Sequence, residues 1–348
     1  MRSRQGVGTV ALVVVVVVII VVAGIAIYNF LPSSKSNVLL LLNYTPTASD
    51  SFVYYGVQQG YFASQGINAS IIGGSTSAST VSEVSTGKVS FGFVPVSEVV
   101  QDLDVANITN VRIVGLYYTR SFDAVTYNEA DVKNFSGLQN VPWTSEPASG
   151  SLSATPLFYY IAKTNGLNVT KLKANVQNAS STVGHSLFVE GKVDFNLGTL
   201  SSYPELAALA ASSGIRVGYF PFYSYGAEDG FGLVTNTATI QSSPSLVKGM
   251  VYAMAESMIA SAKDPQAAAA AIVESQPQLN YTLTEEAFQL EAQCCVENST
   301  STTPPLQFAY MNPAAMNQTV DWLSGVLGLK TPVPAREVYT NQFTTPPP

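Results

Sequence analysis

The chain has few charged side chains, only two cysteines and a single histidine among its 348 residues. Lys, Arg, Asp and Glu together make up 11% of the sequence, and the formal net charge is −7. Nucleic-acid binding requires clustered Lys and Arg to neutralise phosphates, and the sequence contains no such cluster. A nucleic-acid partner is therefore not expected. Ser, Thr, Asn and Tyr supply the polarity instead, which suits an exposed protein in an acidic medium.

The scarcity of cysteine and histidine disfavours metal sites and thiol- or imidazole-based catalysis. Cys294 and Cys295 are the only cysteines and are adjacent. A zinc site needs more ligands at wider spacing, so no metal site is expected. A vicinal disulfide and a bridge to another chain stay open, but two small side chains on a helix flank are favoured. No Ser-His-Asp set, paired catalytic carboxylates or P-loop is recognisable, so no catalytic residue and no cofactor is expected.

The first 31 residues contain a long segment without charge. Arg2 and Arg4 precede residues 7–31, which are almost wholly apolar. As a helix, this segment would be about 37 Å long, enough to cross a bilayer with some tilt. The arginines favour a cytoplasmic N-terminus, which places the remaining chain outside the cell. We therefore expect a single-pass membrane anchor over 1–31, followed by a polar linker over 32–37.

Cleavage of this N-terminal segment is the alternative. A signal-peptidase site near Ala26 is a poor match to the usual small-residue motif. The short basic leader before the apolar segment also resembles the class III, pilin-like signals of archaeal exoproteins, in which cleavage would fall near Gly6. The uncleaved anchor is favoured over both.

Asn-x-Ser/Thr triplets are more frequent than the roughly four that chance would give in a chain this rich in Ser and Thr. Their excess indicates a glycosylated outer face. Asn43 carries such a triplet but adjoins the predicted site, where it would be too enclosed for modification. The predicted glycosylation sites are Asn68, Asn107, Asn134, Asn168, Asn178, Asn280, Asn298 and Asn317.

Residues 38–100 alternate short apolar runs with helical patterns. In order, they predict a strand at 38–42, a helix at 52–62, a strand at 67–72, a helix at 80–86 and a strand at 89–94. This alternation is typical of right-handed crossover units on a parallel sheet, where ligands bind beyond the carboxyl ends of the strands. The loops that meet there contain Tyr44, Thr45, Gly74, Ser75, Thr76 and Ser97.

The rest of the chain repeats this alternation and then becomes helical. Residues 38–127 form the first part of lobe I, 128–222 form lobe II, and 223–348 return to lobe I with the C-terminal helices. Local patterns also predict a helix at 131–138, a strand at 171–176 and a helix at 335–341. Two crossings, near Tyr127 and Tyr225, predict a hinged α/β clamshell that binds its ligand between the lobes.

Several stretches carry a family resemblance, in order and at family spacing. They include NYTPTASDSFVYYGVQQGYFASQGINASII, GGSTSASTVSEVSTGKVSFGFVPVSEVV, LYYTRSFDAV, EGKVDFNLG and MNPAAMNQTVDWLSGVLGLK. These stretches resemble the NMT1/THI5-like and sulfonate-binding families of ABC-importer substrate-binding proteins. The resemblance implies a type II periplasmic-binding-protein fold, a small-molecule ligand and an ABC permease as partner.

The resemblance also implies a choice of ligand class. The NMT1 branch is associated with the pyrimidine precursor of thiamine, and sister branches bind sulfonates, taurine or nitrate. Few Arg and Lys residues occur around the loops, which favours a neutral heterocycle over a free sulfonate. A pyrimidine-synthase-like enzyme and a surface-filament subunit stay open as rival functions.

The chain departs from the family pattern at its first loop. Tyr44 replaces the family's Trp, and Ala48, Ser49 and Asp50 replace its Asn-His pair. The eukaryotic pyrimidine synthases of the family use that histidine together with a Cys-rich motif, and this chain has neither at the matching positions. Its single histidine, His185, falls on a predicted lobe II helix, so the chain is not expected to be an enzyme.

The predicted binding residues have both ligand roles and ordinary structural roles. Tyr44 would stack on a flat ligand or close the rim of the core. Two Gly/Ser loops, at 74–76 and 149–151, would donate backbone N–H groups across the cleft or form turns. Glu205 would accept from an amine or start a helix, and Arg120 would meet an anion or a surface acid. Trp143 and Tyr225 would be walls or core. The full set is Tyr44, Thr45, Asp50, Gly74, Ser75, Thr76, Ser97, Arg120, Trp143, Ser149, Gly150, Ser151, Thr199, Glu205 and Tyr225.

Overall fold

The computed structural model describes residues 35–145, 154–296 and 303–347. By its contacts the chain divides into Met1–Ser36 and Asn37–Pro348, and the second unit contains the two sheets. The predicted anchor at 1–31 lies outside the described residues. Among the helices of the described residues, none is both long and apolar enough to cross a membrane.

Ten strands and fourteen helices occur in the described residues, besides short 3-10 turns. The strands are β1 (Ser36–Leu42), β2 (Ile67–Ile72), β3 (Phe91–Pro95), β4 (Val111–Tyr118), β5 (Asp123–Asn128), β6 (Trp143–Ser145), β7 (Val176–Asn178), β8 (Phe195–Thr199), β9 (Val217–Pro221) and β10 (Phe231–Asn236). The helices are α1 (Ser51–Gln58), α2 (Tyr61–Ser64), α3 (Ser77–Ser85), α4 (Val96–Val105), α5 (Ala154–Thr164), α6 (Val169–Asn175), α7 (Ser181–Val189), α8 (Ser202–Ala211), α9 (Thr237–Ser242), α10 (Pro244–Ser261), α11 (Pro265–Ser275), α12 (Tyr281–Cys295), α13 (Pro305–Phe308) and α14 (Pro313–Leu327).

The first sheet has the strand order β2-β1-β3-β10-β4. β1 runs parallel to β3, with Leu41 opposite Gly92, and the helix between successive strands supplies the crossover that parallel pairing requires. β10 is antiparallel to both β3 and β4. The late strand therefore inserts between β3 and β4 of the first sheet.

The second sheet has the strand order β7-β6-β8-β5-β9. β6 is parallel to β7 and β8, whereas β5 is antiparallel to β8 and β9. Because β5 belongs to this sheet, the first crossing lies between Tyr118 and Asp123, earlier than the predicted position near Tyr127. The predicted lobe I segment 38–127 thus contains one strand of the second sheet. The α/β class and the two-lobe arrangement are confirmed.

Three local predictions are wrong. Residues 171–176, predicted as a strand, lie mostly in α6, because the side chain of Asn168 accepts a hydrogen bond from the N–H of Lys171 and caps a helix there. The predicted helix at 131–138 is replaced by a 3-10 turn, Phe135–Asn140, capped by Asn134. The predicted helix at 335–341 is only the 3-10 turn Ala335–Glu337.

Each lobe has its own aromatic core. In lobe I, the rings of Phe52 and Phe93 meet edge to face with centroids 5.5 Å apart, beneath α1 and α10. In lobe II, Trp143 stacks on Phe195 with centroids 5.0 Å apart. Both cores lie against the faces of their sheets, so the sheet edges and strand ends stay available for a site between the lobes.

The two crossings between the lobes are tied together and to α12. The backbone N–H of Ser121 donates to the carbonyl oxygen of Ala227 at 3.4 Å, joining the first crossing to the second. The backbone N–H of Thr119 donates to the carbonyl oxygen of Cys295 at 2.8 Å. Cys294 and Cys295 form a disulfide with each other, so the favoured prediction of two unlinked side chains is wrong. Their adjacency allows this bond at the end of a helix that contacts the first crossing.

Candidate ligand-binding site

A cavity of about 190 Å³ lies between the two sheets. Its lining residues follow the carboxyl ends of strands in both lobes: Tyr44 and Thr45 come after β1, Ser145 ends β6, and Thr199 ends β8. The rule that ligands of open α/β sheets bind beyond these strand ends therefore locates the cavity correctly. A small molecule in this space would contact both lobes at once.

Three phenylalanine rings form an apolar wall of the cavity. Phe122, in the first crossing, stacks on Phe231 of β10 with ring centroids 4.5 Å apart and an interplanar angle of 30°. Phe93 of β3 lies 5.8 Å from Phe231, measured between ring centroids. All three line the cavity, so a flat ligand would find ring faces and edges for stacking.

Asp50 is a buried carboxyl at the lobe I side of the cavity. Its Oδ2 atom accepts a hydrogen bond from the backbone N–H of Thr47 at 3.0 Å, which fixes the 3-10 turn Ala48–Asp50. Burial raises the pKa of Asp50 to about 7, although the hydrogen bonds from Thr47 act in the opposite direction. The group therefore changes charge near neutral pH and is protonated in an acidic medium.

Asp123 is the corresponding carboxyl at the start of β5. Its Oδ2 atom accepts a hydrogen bond from the Oγ hydroxyl of Ser121 at 2.9 Å. Burial raises the pKa of Asp123 to about 6, against the lowering effect of Ser121. Two titratable acids thus line one small cavity, and each can accept from an amine or, when protonated, donate to an acceptor.

Glu291 is not part of the cavity lining but contacts two residues that line the cavity. Its Oε1 atom accepts from the Oγ hydroxyl of Ser49 at 3.0 Å and from the backbone N–H of Ser201 at 3.1 Å. Burial is the main cause that raises the pKa of Glu291 to about 8; the nearby Asp50 carboxylate adds to the rise, and the hydrogen bonds from Ser49 and Ser201 oppose it. Ser49 belongs to lobe I and Ser201 to lobe II, so this one carboxyl joins the two lobes.

The charge balance of the cavity is acidic. Asp50 and Asp123 both line the cavity, and none of the other described lining residues is Lys, Arg or His. Residues 146–153, which connect Ser145 and Ala154 in sequence and lie outside the described residues, have the sequence EPASGSLS and contain none of these cations. A permanently ionised anion would therefore find no opposite charge here, whereas a neutral or amine-bearing molecule would find acceptors.

Four of the predicted binding residues line the cavity, namely Tyr44, Thr45, Asp50 and Thr199. Tyr44 is 41% exposed and lies at the rim. The hydroxyl groups of Thr199 and Ser201 share a hydrogen bond of 2.6 Å, which positions both at the lobe II side. The ligand contacts of these residues stay predictions.

The predicted Gly74-Ser75-Thr76 loop lies outside the cavity lining, and two of its N–H groups are already engaged. The N–H of Gly74 donates to the carbonyl oxygen of Tyr44 at 3.1 Å. The N–H of Thr76 donates to Ser79 Oγ at 3.2 Å, within the capping box that starts α3. The loop is therefore a helix start, which weakens its predicted role as an anion-binding loop.

The remaining predicted residues have other surroundings. Trp143 is fully buried, and its Nε1–H donates to the carbonyl oxygen of Leu172 at 2.9 Å. Tyr225 stacks on Phe135 in the lobe II core. Ser97, Arg120 and Glu205 are absent from the described lining: Ser97 is buried in α4, Arg120 is half-buried in the first crossing, and Glu205 is exposed on α8. Ser149, Gly150 and Ser151 lie outside the described residues.

The predicted glycosylation sites stay predictions. Asn298 lies outside the described residues, and the other seven asparagines are exposed: Asn68, Asn107, Asn134, Asn168, Asn178, Asn280 and Asn317. Several of them begin helices or turns. Asn280, for example, accepts a hydrogen bond from the N–H of Leu283 and caps α12.

Sequence reasoning missed the acid and hydroxyl groups at the centre of the site. Asp123, Ser201 and Glu291 were not among the predicted residues, yet the first two line the cavity and the third holds Ser201. An acid inside an otherwise apolar helical pattern was the available signal for Glu291, since α12 buries Phe288, Ala292 and Cys295 on the same side.

The two-lobe fold, with mixed sheets and a cavity at the strand ends between them, is that of the type II periplasmic binding proteins. The sequence model described as NMT1/THI5 like matches residues 48–268. The chain therefore belongs to the NMT1/THI5-like family. A search of curated protein sequences gives no match.

Solved structures share this fold at low sequence identity. The aliphatic sulphonate binding protein SsuA of Escherichia coli has a TM-score of 0.66 at 11% identity, covering 89% of this chain and 99% of its own. The alkanesulfonate-binding protein SsuA of Xanthomonas axonopodis pv. citri, bound to MOPS, has a TM-score of 0.65 at 12% identity, covering 88% and 99%. A Candida albicans protein, described as having the generic periplasmic binding protein fold, has a TM-score of 0.59 at 11% identity, covering 89% and 97%.

Proposed function

We propose that this chain is an extracytoplasmic solute-binding protein that delivers a small molecule to an ABC permease. The main support for this proposal is the cavity between the lobes, which is lined from both sides by hydroxyls, phenylalanine rings and two buried carboxyls. Such a site binds by closure of the lobes over the ligand. The uncharged N-terminal segment and the periplasmic location named for the E. coli neighbour support a membrane-tethered position outside the cell.

The proposed ligand is a neutral or amine-bearing heterocycle of the thiamine-pyrimidine type. Asp50 and Asp123 supply acceptors for ring or exocyclic N–H groups, and Phe122 and Phe231 supply a stacking wall. A wrong ligand would leave these buried acceptors without partners, which costs about 1–3 kcal/mol for each group. Specificity would therefore come from hydrogen bonds as much as from shape.

Sulfonate binding is the second candidate within the same fold. It is favoured by the structural neighbours that are named for sulfonates. It is disfavoured by the lack of Lys, Arg and His among the described lining residues. A sulfonate here would depend on backbone and hydroxyl donors alone, with two acids nearby.

A thermal-shift screen of the full-length chain in mild detergent tests the proposal. The probes are thiamine, its aminopyrimidine precursor, riboflavin, taurine, an alkanesulfonate and nitrate. A ligand at 100 times its dissociation constant stabilises the bound state by about 2.7 kcal/mol, so a clear rise in Tm is expected with the aminopyrimidine. A rise with sulfonates alone would overturn the heterocycle, and no rise with any probe would count against solute binding.

Matched variants connect any rise to the cavity. Asp123→Asn removes a lining acid and should weaken binding of an amine-bearing ligand about tenfold or more. Asp321→Asn makes the same chemical change at an exposed position of α14 and should leave binding unchanged. Equal binding by the two variants would show that Asp123 does not contact the ligand.

Two functions of other classes are tested separately. A pyrimidine-synthase-like enzyme would release product when incubated with its precursors, whereas a binding protein returns its ligand unchanged. A surface-filament subunit would leave the membrane as a polymer, whereas a tethered binding protein would be extracted by detergent as monomers.

A further inference from the structure

Glu291 is the only described side chain for which hydrogen bonds to both Ser49 and Ser201 are found. It lies on α12, which packs against α11, against the 3-10 turn Ala48–Asp50 of lobe I and against α8 of lobe II. Its Oε1 atom binds both lobes, whereas its Oε2 atom is buried and has no hydrogen-bond partner in the described part of the chain. Buried carboxyl oxygens usually have hydrogen-bond partners, so the unpaired Oε2 atom is an exception that needs a physical explanation.

Among the described residues, no Lys, Arg or His is a cause of the pKa shift of Glu291. Asp50 faces it from the 3-10 turn, and Tyr118 faces it from β4, where the Tyr118 hydroxyl donates to the carbonyl oxygen of Ser49 at 2.7 Å. The helices α11 and α8, which pack against α12, carry further acids and phenols but no Lys, Arg or His, whereas β4 carries Arg112 near its start. The further acids and phenols are Glu274 on α11, Tyr203 and Glu205 on α8, and Tyr281, Glu285 and Glu286 on α12 itself. Arg120 lies in the adjoining crossing.

We propose that Glu291 is a proton-dependent latch between the lobes, which favours the closed cavity while its carboxyl is protonated and favours opening when the carboxyl ionises. In the protonated form, Oε1 accepts from Ser49 and Ser201 and the proton resides on Oε2. Ionisation places a charge on a buried oxygen that has no donor, beside a second acid, and opening of the lobes returns that charge to water. Glu291 acts through Ser49 and Ser201 and is a positioning residue.

The direction of the pH effect follows from the raised pKa. Burial raises the pKa of Glu291 from 4.5 to about 8 in the closed form, and exposure on opening returns it toward its ordinary value. Closure is then strongest below about pH 4.5 and weakens as the pH rises toward 8, by at most tenfold in the closing equilibrium per pH unit. If the proposed function holds, the protein captures solute in an acidic medium and releases it more easily near neutral pH.

The experiment measures lobe separation in the ligand-free full-length chain, so it does not depend on the identity of the solute. Spin labels are attached at Lys88→Cys in lobe I and Lys192→Cys in lobe II, two positions with side chains more than 60% exposed. The native cysteines are protected by their disulfide. Distances between the labels, recorded at pH 4.5, 6.5 and 8.5, should show the closed population falling at least tenfold across the series.

Variants of Glu291 separate a latch from a purely structural role. Glu291→Gln keeps an acceptor for Ser49 and Ser201 but cannot ionise, so the closed population should fall with pH much less than in the wild-type protein, with only the response of Asp50 and Asp123 remaining. Glu291→Ala removes both hydrogen bonds and should be open at every pH. Glu205→Gln, an equivalent change at an exposed position of α8, should retain the full pH response.

The proposal is overturned if Glu291→Gln retains the full pH response, or if the wild-type label distances do not change with pH. If Glu291→Ala does not fold, the Gln variant still decides the question. Because no ligand is added, failure of the latch leaves solute binding to be judged by the thermal-shift screen alone.

Discussion

The Oδ1 atom of Asp229 accepts a hydrogen bond from the backbone N–H of Ser97 at 2.9 Å. This contact fastens the second crossing between the lobes to the first turn of α4. Asp229 is buried, and its Oδ2 atom has no partner among the described residues. Burial is the main cause that raises the pKa of Asp229 to about 7, against the lowering effect of hydrogen bonding to Ser97 and with a smaller raising effect of the Asp123 carboxylate. The two crossings therefore each contain a buried acid, and one of these acids lines the cavity.

Removal of the Asp229 acceptor should destabilise the protein. Asp229→Ala leaves the buried N–H of Ser97 without its partner, at an expected cost of about 1–3 kcal/mol in the free energy of unfolding. Asp229→Asn keeps an acceptor oxygen and should cost less than Ala at pH 5, where the native Asp is also uncharged. Urea unfolding at pH 5 compares the three proteins, and an equal loss in both variants would contradict the role given to this hydrogen bond.

Stability should be greatest in acid and decline toward alkaline pH. Burial raises the folded-state pKa of eight described carboxyls above their ordinary values, so each binds its proton more tightly in the folded chain. Six of them shift most strongly. These are Asp50, Glu98, Asp102, Asp123, Asp229 and Glu291, with pKa values between about 6 and about 8. Their contribution is complete below about pH 4 and is lost as the pH rises through 6 to 8.

Thermal unfolding at a series of pH values measures this dependence. We expect Tm to fall by several degrees between pH 5 and pH 8, because ionisation of these groups is easier in the unfolded chain. The double variant Glu98→Gln/Asp102→Asn, which removes two of the acids on α4, should show a smaller fall. A Tm that rises over this range would contradict the assignment of these groups as protonated in the fold.

The spacing of apolar residues was sufficient to predict most strands and helices, because each element buries one face and burial sets that spacing locally. The run at 38–42 becomes β1 and the pattern around Phe52 becomes α1, since one face of each is buried against the same core. The Asp264-Pro265 and Asn312-Pro313 pairs begin α11 and α14 through their capping side chains. The strand predicted at 171–176 failed because one cap, Asn168, outweighs weak strand propensity over a few residues.

The site was predictable only where it lies next to a strand end. Tyr44, Thr45 and Thr199 are near strand ends, and Asp50 ends the loop between β1 and α1, so local pattern places them. Glu291 and Ser49 are 242 positions apart in sequence, and their contact depends on how α12 packs against both lobes. Ser145 lines the cavity whereas Trp143 is buried in the core, although both belong to the three-residue strand β6. The sequence alone does not show which side chain of so short a strand faces the cavity.

Trp143 should contribute to stability without contributing to ligand binding. Trp143→Phe removes the hydrogen bond from Nε1 to the carbonyl oxygen of Leu172 and leaves space in the lobe II core. We expect a loss of about 1–3 kcal/mol in the free energy of unfolding, with no change in affinity for any ligand found by thermal shift. The same change at Trp322, half-buried on α14, is the matched control and should cost less. If Trp143→Phe lost affinity and the Trp322 variant did not, Trp143 would instead form a wall of the binding site.

Gly56 should not tolerate even a methyl group, although it lies inside a helix. A Cβ at this position would overlap Ser257 Oγ and approach Ser257 Cβ to 2.6 Å, where α1 crosses α10. Ala normally stabilises a helix interior relative to Gly by up to about 1 kcal/mol. Here the clash should dominate, and Gly56→Ala is expected to destabilise the protein by about 1–3 kcal/mol.

Two further variants distinguish the clash from a general effect of the substitution. Gly325 lies in α14 with no atom within 4 Å of its added Cβ, so Gly325→Ala should stabilise the protein slightly. Ser257→Gly should partly restore the stability of Gly56→Ala, because it removes the two atoms that the new methyl group would meet. Urea unfolding of the wild type, Gly56→Ala, Ser257→Gly and the double variant gives the coupling free energy between positions 56 and 257. A coupling near zero would mean that α1 and α10 are not packed at this distance.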